Sequence, residues 1–323
     1  MTDVQSCFLP GTNIQFAFDS TSLGYLKTCA RLYYYHMIEG WTSNDESVHL
    51  RFGIEYHRAL QDYDISRANG ISYQDAVHDT IQELVLRTAD FNPDHKTKTK
   101  DNLIRTVIWY LETFKDDSAE TVILSDGRPA VEQSFRFELD WGPQHGIKAG
   151  PNYQTDETDR APQPYILSGH LDRVVNFSGQ TFVMDRKTTT TTPSDYYFNQ
   201  FEPNNQMTLY SFASKVVLDA PVRGVIIDCA QIAVGFSRFV RGFTYRTPEQ
   251  IEEWVGDLRY WFALQEQFAI ADNWPMNDTA CDKFGGCRFR EVCSKQKSVR
   301  PNFLAASFKQ LEPSQRWNPL KPR

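Results

Sequence analysis

Asp172 and the triplet Asp185-Arg186-Lys187 lie on two apolar stretches, residues 165–175 and 181–185, that read as adjacent β-strands. Between them, Ser178-Gly179 suits a two-residue hairpin turn. If that turn sets the register, Asp172 falls directly opposite Asp185, with Cβ atoms about 5 Å apart. Two carboxylates that close repel unless a cation lies between them or one keeps its proton. Period-two alternation puts Lys187 on the face of Asp185 and turns Arg186 away. Paired carboxylates suit Mg2+ or Mn2+, which retain waters and accept phosphate oxygens. With the lysine alongside, this is the residue set of a metal-dependent phosphodiesterase. The competing reading is a surface hairpin with ordinary solvated charges.

The elements that must position these groups follow from the hydrophobic pattern. Residues 20–36 read as a helix entered through Ser and Thr, and residues 48–62 as a second helix carrying His57. Helical spacing recurs over 71–88 and 102–115, so the amino-terminal third is mostly helical. Residues 131–139 alternate as a strand, and 142–164, rich in Gly, Pro and polar residues, read as a long loop. After the hairpin come a helix over 203–217, strands over 222–234 and 237–245, and a helix opened by Thr247-Pro248 that runs to about residue 271. Helices, a central sheet and further helices make one α/β domain with a helical annex, spanning 1–323. Its parts are a helical region 1–120, a sheet core 121–246 and a carboxyl-terminal segment 247–323.

With 41% hydrophobic and 14% aromatic residues in 323, the chain can bury a substantial core. No apolar run reaches the roughly 18 residues of a membrane span and the start lacks a basic secretory signature, so a cytoplasmic location is expected. The net charge of −7 is uneven: residues 283–323 hold ten Lys/Arg against Glu291 and Glu312. A basic tail on an acidic body fits a segment that meets phosphates, or else a solvated tail.

Three of the six cysteines cluster as Cys281-x5-Cys287-x5-Cys293, beside Gly285-Gly286 and basic residues. In a cytoplasmic chain this favours metal over disulfide, and a fourth thiolate is required. Cys29 is the best candidate, because Cys7 lies in an irregular-looking start and Cys229 in an apolar strand. Four sulfurs complete either tetrahedral zinc or an iron-sulfur cluster.

Taken together, these pieces resemble the iron-sulfur-containing RecB-like branch of the PD-(D/E)XK nucleases, which includes the Cas4 and AddB nuclease domains. The likeness rests on His57, Gly169-His170-Leu171-Asp172, Asp185-Arg186-Lys187 and Gln206-Met207-Thr208-Leu209-Tyr210, in that order, bracketed by Cys29 and Cys281, Cys287 and Cys293. One departure is the spacing Cys281-x5-Cys287, where relatives usually have Cys-x2-Cys, which makes Cys281 the least secure ligand. The resemblance implies a restriction-endonuclease-like α/β fold, a mixed sheet flanked by helices with the annex tied by a 4Fe-4S cluster.

It also implies roles: Asp172 and Asp185 as metal ligands with His57, Lys187 beside the attacking water, and Gln206 and Tyr210 on one helical face at the site or the DNA strand. Glu132 is a weaker candidate for the metal shell. Arg288, Arg290, Lys295 and Lys297 would guide a single strand past the cluster. The implied activity is a Mg2+- or Mn2+-dependent DNA exonuclease acting on single strands or free ends. No Walker A motif is present, so any unwinding falls to a helicase or recombination partner. The alternatives are a catalytically silent nucleic-acid-binding or assembly protein on the same fold, and a zinc-ribbon-like module fused to an unrelated enzyme.

Overall fold

A computed structural model of the chain describes residues 5–143, 163–218, 221–282 and 285–321. The loop expected at 142–164 lies almost wholly outside the described residues, as do Lys283 and Arg323 of the basic tail. In chain order the first elements are β1 (Ala17–Phe18), α1 (Ser20–Thr28), α2 (Ala30–Tyr33), β2 (Trp41–Ser43), α3 (Val48–Ala68), α4 (Tyr73–Arg87) and α5 (Lys100–Thr113). Then come β3 (Glu120–Thr121), β4 (Val131–Glu138), β5 (Ile166–Phe177), β6 (Gln180–Thr189), α6 (Asp195–Phe198) and α7 (Asn205–Val217). The chain continues with β7 (Val222–Ile232), β8 (Ser237–Thr244), α8 (Pro248–Ile270), α9 (Arg290–Cys293), α10 (Arg300–Ser307) and β9 (Phe308–Gln310). These elements form two compact units, each drawn from separate stretches of sequence.

One unit comprises Glu46–Phe135 and His170–Ile251. Its sheet is mixed: β5 and β6 pair antiparallel, β6 and β7 parallel, β7 and β8 antiparallel, and β3 lies antiparallel to β5. The β5–β6 turn has φ 52° at Ser178 and 75° at Gly179. Positive φ at both central residues matches the right-handed strand twist, and glycine tolerates it without steric cost. Arg173 pairs with Met184 and Phe177 with Gln180, which is the register that Ser178-Gly179 implies.

Helices cover this sheet because their capping residues start them at fixed points. Ser47 accepts the Leu50 N–H to open α3, Thr99 the Asn102 N–H to open α5, and Asn204 the Gln206 and Met207 N–H groups to open α7. The apolar faces of α3, α4 and α5 meet β7 in a core of Phe52, Tyr56, Leu60, Leu84, Val107 and Ile232. Polar contacts divide the sheet faces: Arg186 reaches Asp64 on α3, whereas Lys187, one residue on, reaches Gln206 on α7.

The other unit comprises Met1–Asp45, Arg136–Gly169 and Glu252–Arg323. Here β1 pairs parallel with the first residues of β5, and Phe262 of α8 stacks on Phe18. β2 and β9 form a two-stranded antiparallel ribbon, Trp41 opposite Gln310. The helix expected over 20–36 is broken. Asp19 caps α1 through the Ser22 N–H, Cys29 is extended at φ −165° and ψ 120°, and after α2 the chain turns as a π-helix over Tyr34–Ile38. Cys7, expected in an irregular start, is buried, and its carbonyl accepts the Phe16 N–H. Among the described residues no helix is long and apolar enough to cross a membrane.

Candidate active site

The sequence motif residues of the first-described unit converge where β5 and β6 part company. Asp172 Oδ2 accepts the Arg186 N–H at 2.9 Å, and His57 Nδ1 on α3 stands 3.3 Å from the same oxygen. Asp185 is fully buried on β6, with Lys187 Nζ 2.8 Å from its Oδ2. That contact is an ion pair without hydrogen-bond alignment, and neither Asp185 oxygen has a hydrogen-bond donor. Lys187 in turn donates to Gln206 Oε1 at 3.0 Å, and Gln206 Nε2 donates to the Tyr210 hydroxyl at 2.9 Å. A continuous polar relay therefore runs Asp185, Lys187, Gln206, Tyr210, and the i, i+4 spacing on α7 makes its last link possible.

The two carboxylates differ in their titration. Burial pushes the Asp185 carboxyl up to about 6, with the Asp172 charge adding to the rise and Lys187 opposing it. Burial also works to raise Asp172, but His57, Lys187 and the Arg186 N–H together hold it well below the usual carboxylate range. Glu132, the weaker candidate, lies on β4 with φ 47°.

Behind the site lies a charged layer that sequence reasoning missed. Arg186, 2% exposed, places Nη2 2.5 Å from Asp64, and Arg173 Nη1 lies 3.6 Å from the same carboxylate. Tyr110 donates to Asp228, and Arg241 bridges Asp228 at 3.4 Å and Asp117 at 2.6 Å. Arg186 does point away from Lys187, but into a buried ion pair instead of solvent. The one signal in the sequence was Asp228, in the middle of the otherwise apolar run Val225-Ile226-Ile227-Asp228-Cys229-Ala230, where burial without a partner is too costly.

In the other unit, the four cysteines named from the sequence are neighbours and none forms a disulfide. Asn277 links two of them: its N–H donates to Cys29 Sγ at 3.3 Å, and its carbonyl receives the Cys281 thiol at 3.9 Å. Cys287 donates its N–H to the Cys281 carbonyl at 2.8 Å, with Gly285 and Gly286 at φ 84° and 106°. Glycine takes such positive φ without steric cost, and the Cys287 N–H brings these two cysteines next to each other despite their spacing. Burial raises the Cys293 thiol to about 11, opposed by Arg31 and Arg300 and reinforced by Cys287 and Cys29. Of the basic residues expected nearby, Arg290 pairs with Asp282, and Lys295 lies over the Phe303 ring at 5.0 Å. As they stand, no three His, Cys, Asp or Glu side chains among the described residues converge to ligating distance.

Residues 20–294 match the family model of the PD-(D/E)XK nuclease superfamily. The chain belongs to that superfamily, and its class is that of a nuclease. No curated protein matches it. Among solved structures, a protein of Eubacterium rectale assigned as an exonuclease is similar at a TM-score of 0.48 and 10% identity, over 89% of this chain and 92% of that one.

Proposed function

We propose that this protein is a Mg2+- or Mn2+-dependent deoxyribonuclease that hydrolyses phosphodiester bonds in single strands or from free ends. The observation that carries the reading is Asp185: a fully buried carboxylate beside a second carboxylate, with the Lys187 ammonium 2.8 Å away. Two carboxylates against one fixed ammonium leave negative charge that a metal cation would complete. Asp172 and Asp185, with the His57 imidazole alongside, are the donor set that would hold the ion. When bound, it supplies Lewis-acid polarisation of the phosphate and a water of lowered pKa.

The remaining work falls to the chain itself. Lys187 is held from two sides, by Asp185 and Gln206, so its ammonium is fixed next to the carboxylates, where it offsets charge that grows on phosphate oxygens. Gln206 can orient Lys187 because Tyr210 receives its amide N–H and fixes which end of the amide faces the lysine. His57 holds Asp172 Oδ2 from the side opposite the sheet backbone donor.

We further propose that Cys29, Cys281, Cys287 and Cys293 hold a 4Fe-4S cluster, which places the chain in the RecB-like iron-sulfur branch. Supporting this are the N–H donated to Cys29 Sγ and the closure of Cys281 on Cys287. The residues fit such a group as sulfur donors, and zinc is the competing occupant. The deciding test of the catalytic reading is incubation of end-labelled single- and double-stranded DNA with Mg2+ or Mn2+. Wild type is expected to release nucleotides or short products, with Asp185→Ala and Lys187→Ala inactive. Equal degradation by all three sinks the assignment.

A further inference from the structure

Beside the cysteines, within the same unit, is a cavity of about 240 Å³ that the catalytic reading does not use. Its walls include the rings of Tyr34, Trp41 and Trp274 and the cations Arg31, Lys297 and Arg300. Tyr34 and Trp274 stack with centroids 5.7 Å apart and planes 24° from parallel, giving a rigid aromatic wall. Trp274 is only 2% exposed, so it backs the wall while the half-buried Tyr34 and Trp41 present the accessible ring faces.

Three cations and two carboxylates, Glu39 and Asp272, line the cavity, a balance of one positive charge. Glu39 is occupied, accepting from Tyr34 OH at 3.0 Å and from Trp41 Nε1 at 3.1 Å. Asp272 is exposed at the rim. Arg31 commits Nε to the Trp274 carbonyl, and Arg300 commits Nε and Nη2 to the carbonyls of Lys295 and Cys293. Among the described residues no carboxylate ion-pairs with Arg31, Lys297 or Arg300. Their backbone anchors hold the two guanidiniums in place while leaving N–H groups for an anion.

Aromatic walls and held guanidiniums are the parts that recognise an unstacked base with its phosphate. The volume is below the ~300–1,000 Å³ of pockets that engulf drug-sized ligands, which limits the occupant to about one base. We infer that this cavity binds one nucleotide of a single-stranded DNA, the base against the Tyr34 and Trp41 rings and the phosphate toward Arg31, Lys297 and Arg300. The inference rests on the proposed DNA substrate, but binding at this cavity is measurable without turnover.

The test is equilibrium binding of a fluorescein-labelled oligothymidylate of about 12 nucleotides, within the range of single-strand site sizes. It uses the full chain purified without oxygen, in an Asp185→Asn background so that nothing is cleaved. Trp41→Ala is expected to weaken binding about tenfold through lost stacking. Lys297→Glu, at an exposed position, is expected to weaken binding and flatten its salt dependence. If Trp41→Ala and Lys297→Glu both bind within about twofold of their parent, the cavity is no nucleotide site and its arginines serve only the Cys293 segment. Should Trp41→Ala fail to fold, Lys297→Glu decides alone. Loss of binding in a protein whose wild type cleaves no DNA would leave this inference standing and remove the catalytic one.

Discussion

The Asp172 carboxylate accepts the backbone N–H of Arg186 at 2.9 Å, so a side chain on one strand is tied to the residue between Asp185 and Lys187 on the next. The regular ladder ends one step earlier, at Arg173 and Met184. Beyond that pair, a carboxylate takes the place of a carbonyl as the acceptor for the strand's N–H. The exchange keeps β6 satisfied while freeing the two strands to separate, and the gap so formed is where the two aspartates, His57 and Lys187 meet.

On the proposed role of Asp185 as a metal ligand, its burial costs the metal-free protein stability. Its folded pKa, about 6, lies above that of an unfolded aspartate, so stability from this group is full below the unfolded value and is lost as pH rises through 6. Asp185→Asn should therefore abolish cleavage yet stabilise the metal-free protein at pH 7–8, by on the order of 1–3 kcal/mol. Urea denaturation at pH 5 and pH 8 checks this: the gain should shrink at the lower pH. Adding Mg2+ should raise the melting temperature of wild type more at pH 8 than at pH 5, and should leave the asparagine variant little changed.

On the proposed mechanism Gln206 and Tyr210 act through Lys187, and kinetics should separate them. Gln206→Ala removes a hydrogen bond to a charged group, worth about 1.5–3 kcal/mol, so kcat should fall roughly ten- to a hundredfold. Tyr210→Phe removes a neutral bond one step further out and should cost less than about tenfold. Substrate affinity should hold in both variants. A large rise in KM with kcat preserved would instead make this helix face a strand-binding surface.

Much of this site was legible because its determinants are local. The hairpin register follows from Ser178-Gly179 and alternation, and the Gln206–Tyr210 link follows from helical spacing. What escaped depends on distant partners. Arg186 meets Asp64 across 122 residues, and nothing near either residue announces the other. Cys29 breaks a segment whose pattern runs on as helix. Its extended backbone coincides with the Asn277 N–H on its sulfur, 248 residues away, a tertiary contact that overrides local propensity. Asp19 became the cap of α1 in preference to Ser20 for a similar reason, since its second oxygen also accepts the Trp317 indole N–H from near the chain's other end.

The buried pair behind the site should prove more costly to halve than to delete. Asp64→Ala leaves Arg186 charged and enclosed with only distant acidic neighbours, and should destabilise by about 3–5 kcal/mol. The double variant Asp64→Leu with Arg186→Met removes both charges and should recover much of that loss. Chemical denaturation of the single and double variants gives the coupling directly. Additive effects would show that the pair contributes no more than its separate packing.

Under the proposed cluster, cofactor identity turns on the sulfurs of Cys29, Cys281, Cys287 and Cys293. A protein purified without oxygen should be brown, with absorbance near about 400 nm, as iron-sulfur clusters are. Cys293→Ser and Cys281→Ser should each abolish the colour, the second in spite of the long gap, because the Cys287 N–H closes that gap onto the Cys281 carbonyl. Cys7→Ser and Cys229→Ser should not: both residues are buried, Cys229 on β7 of the other unit and Cys7 where its carbonyl accepts the Phe16 N–H. Loss of the cluster should also lower the melting temperature, since ligands so distant in sequence constrain the unfolded chain most. A colourless protein with stoichiometric zinc, lost in the same two variants, would keep the ligands and replace the metal. Colour that survives Cys281→Ser would mean that its place beside Cys287 is structural, with the remaining thiols completing the group.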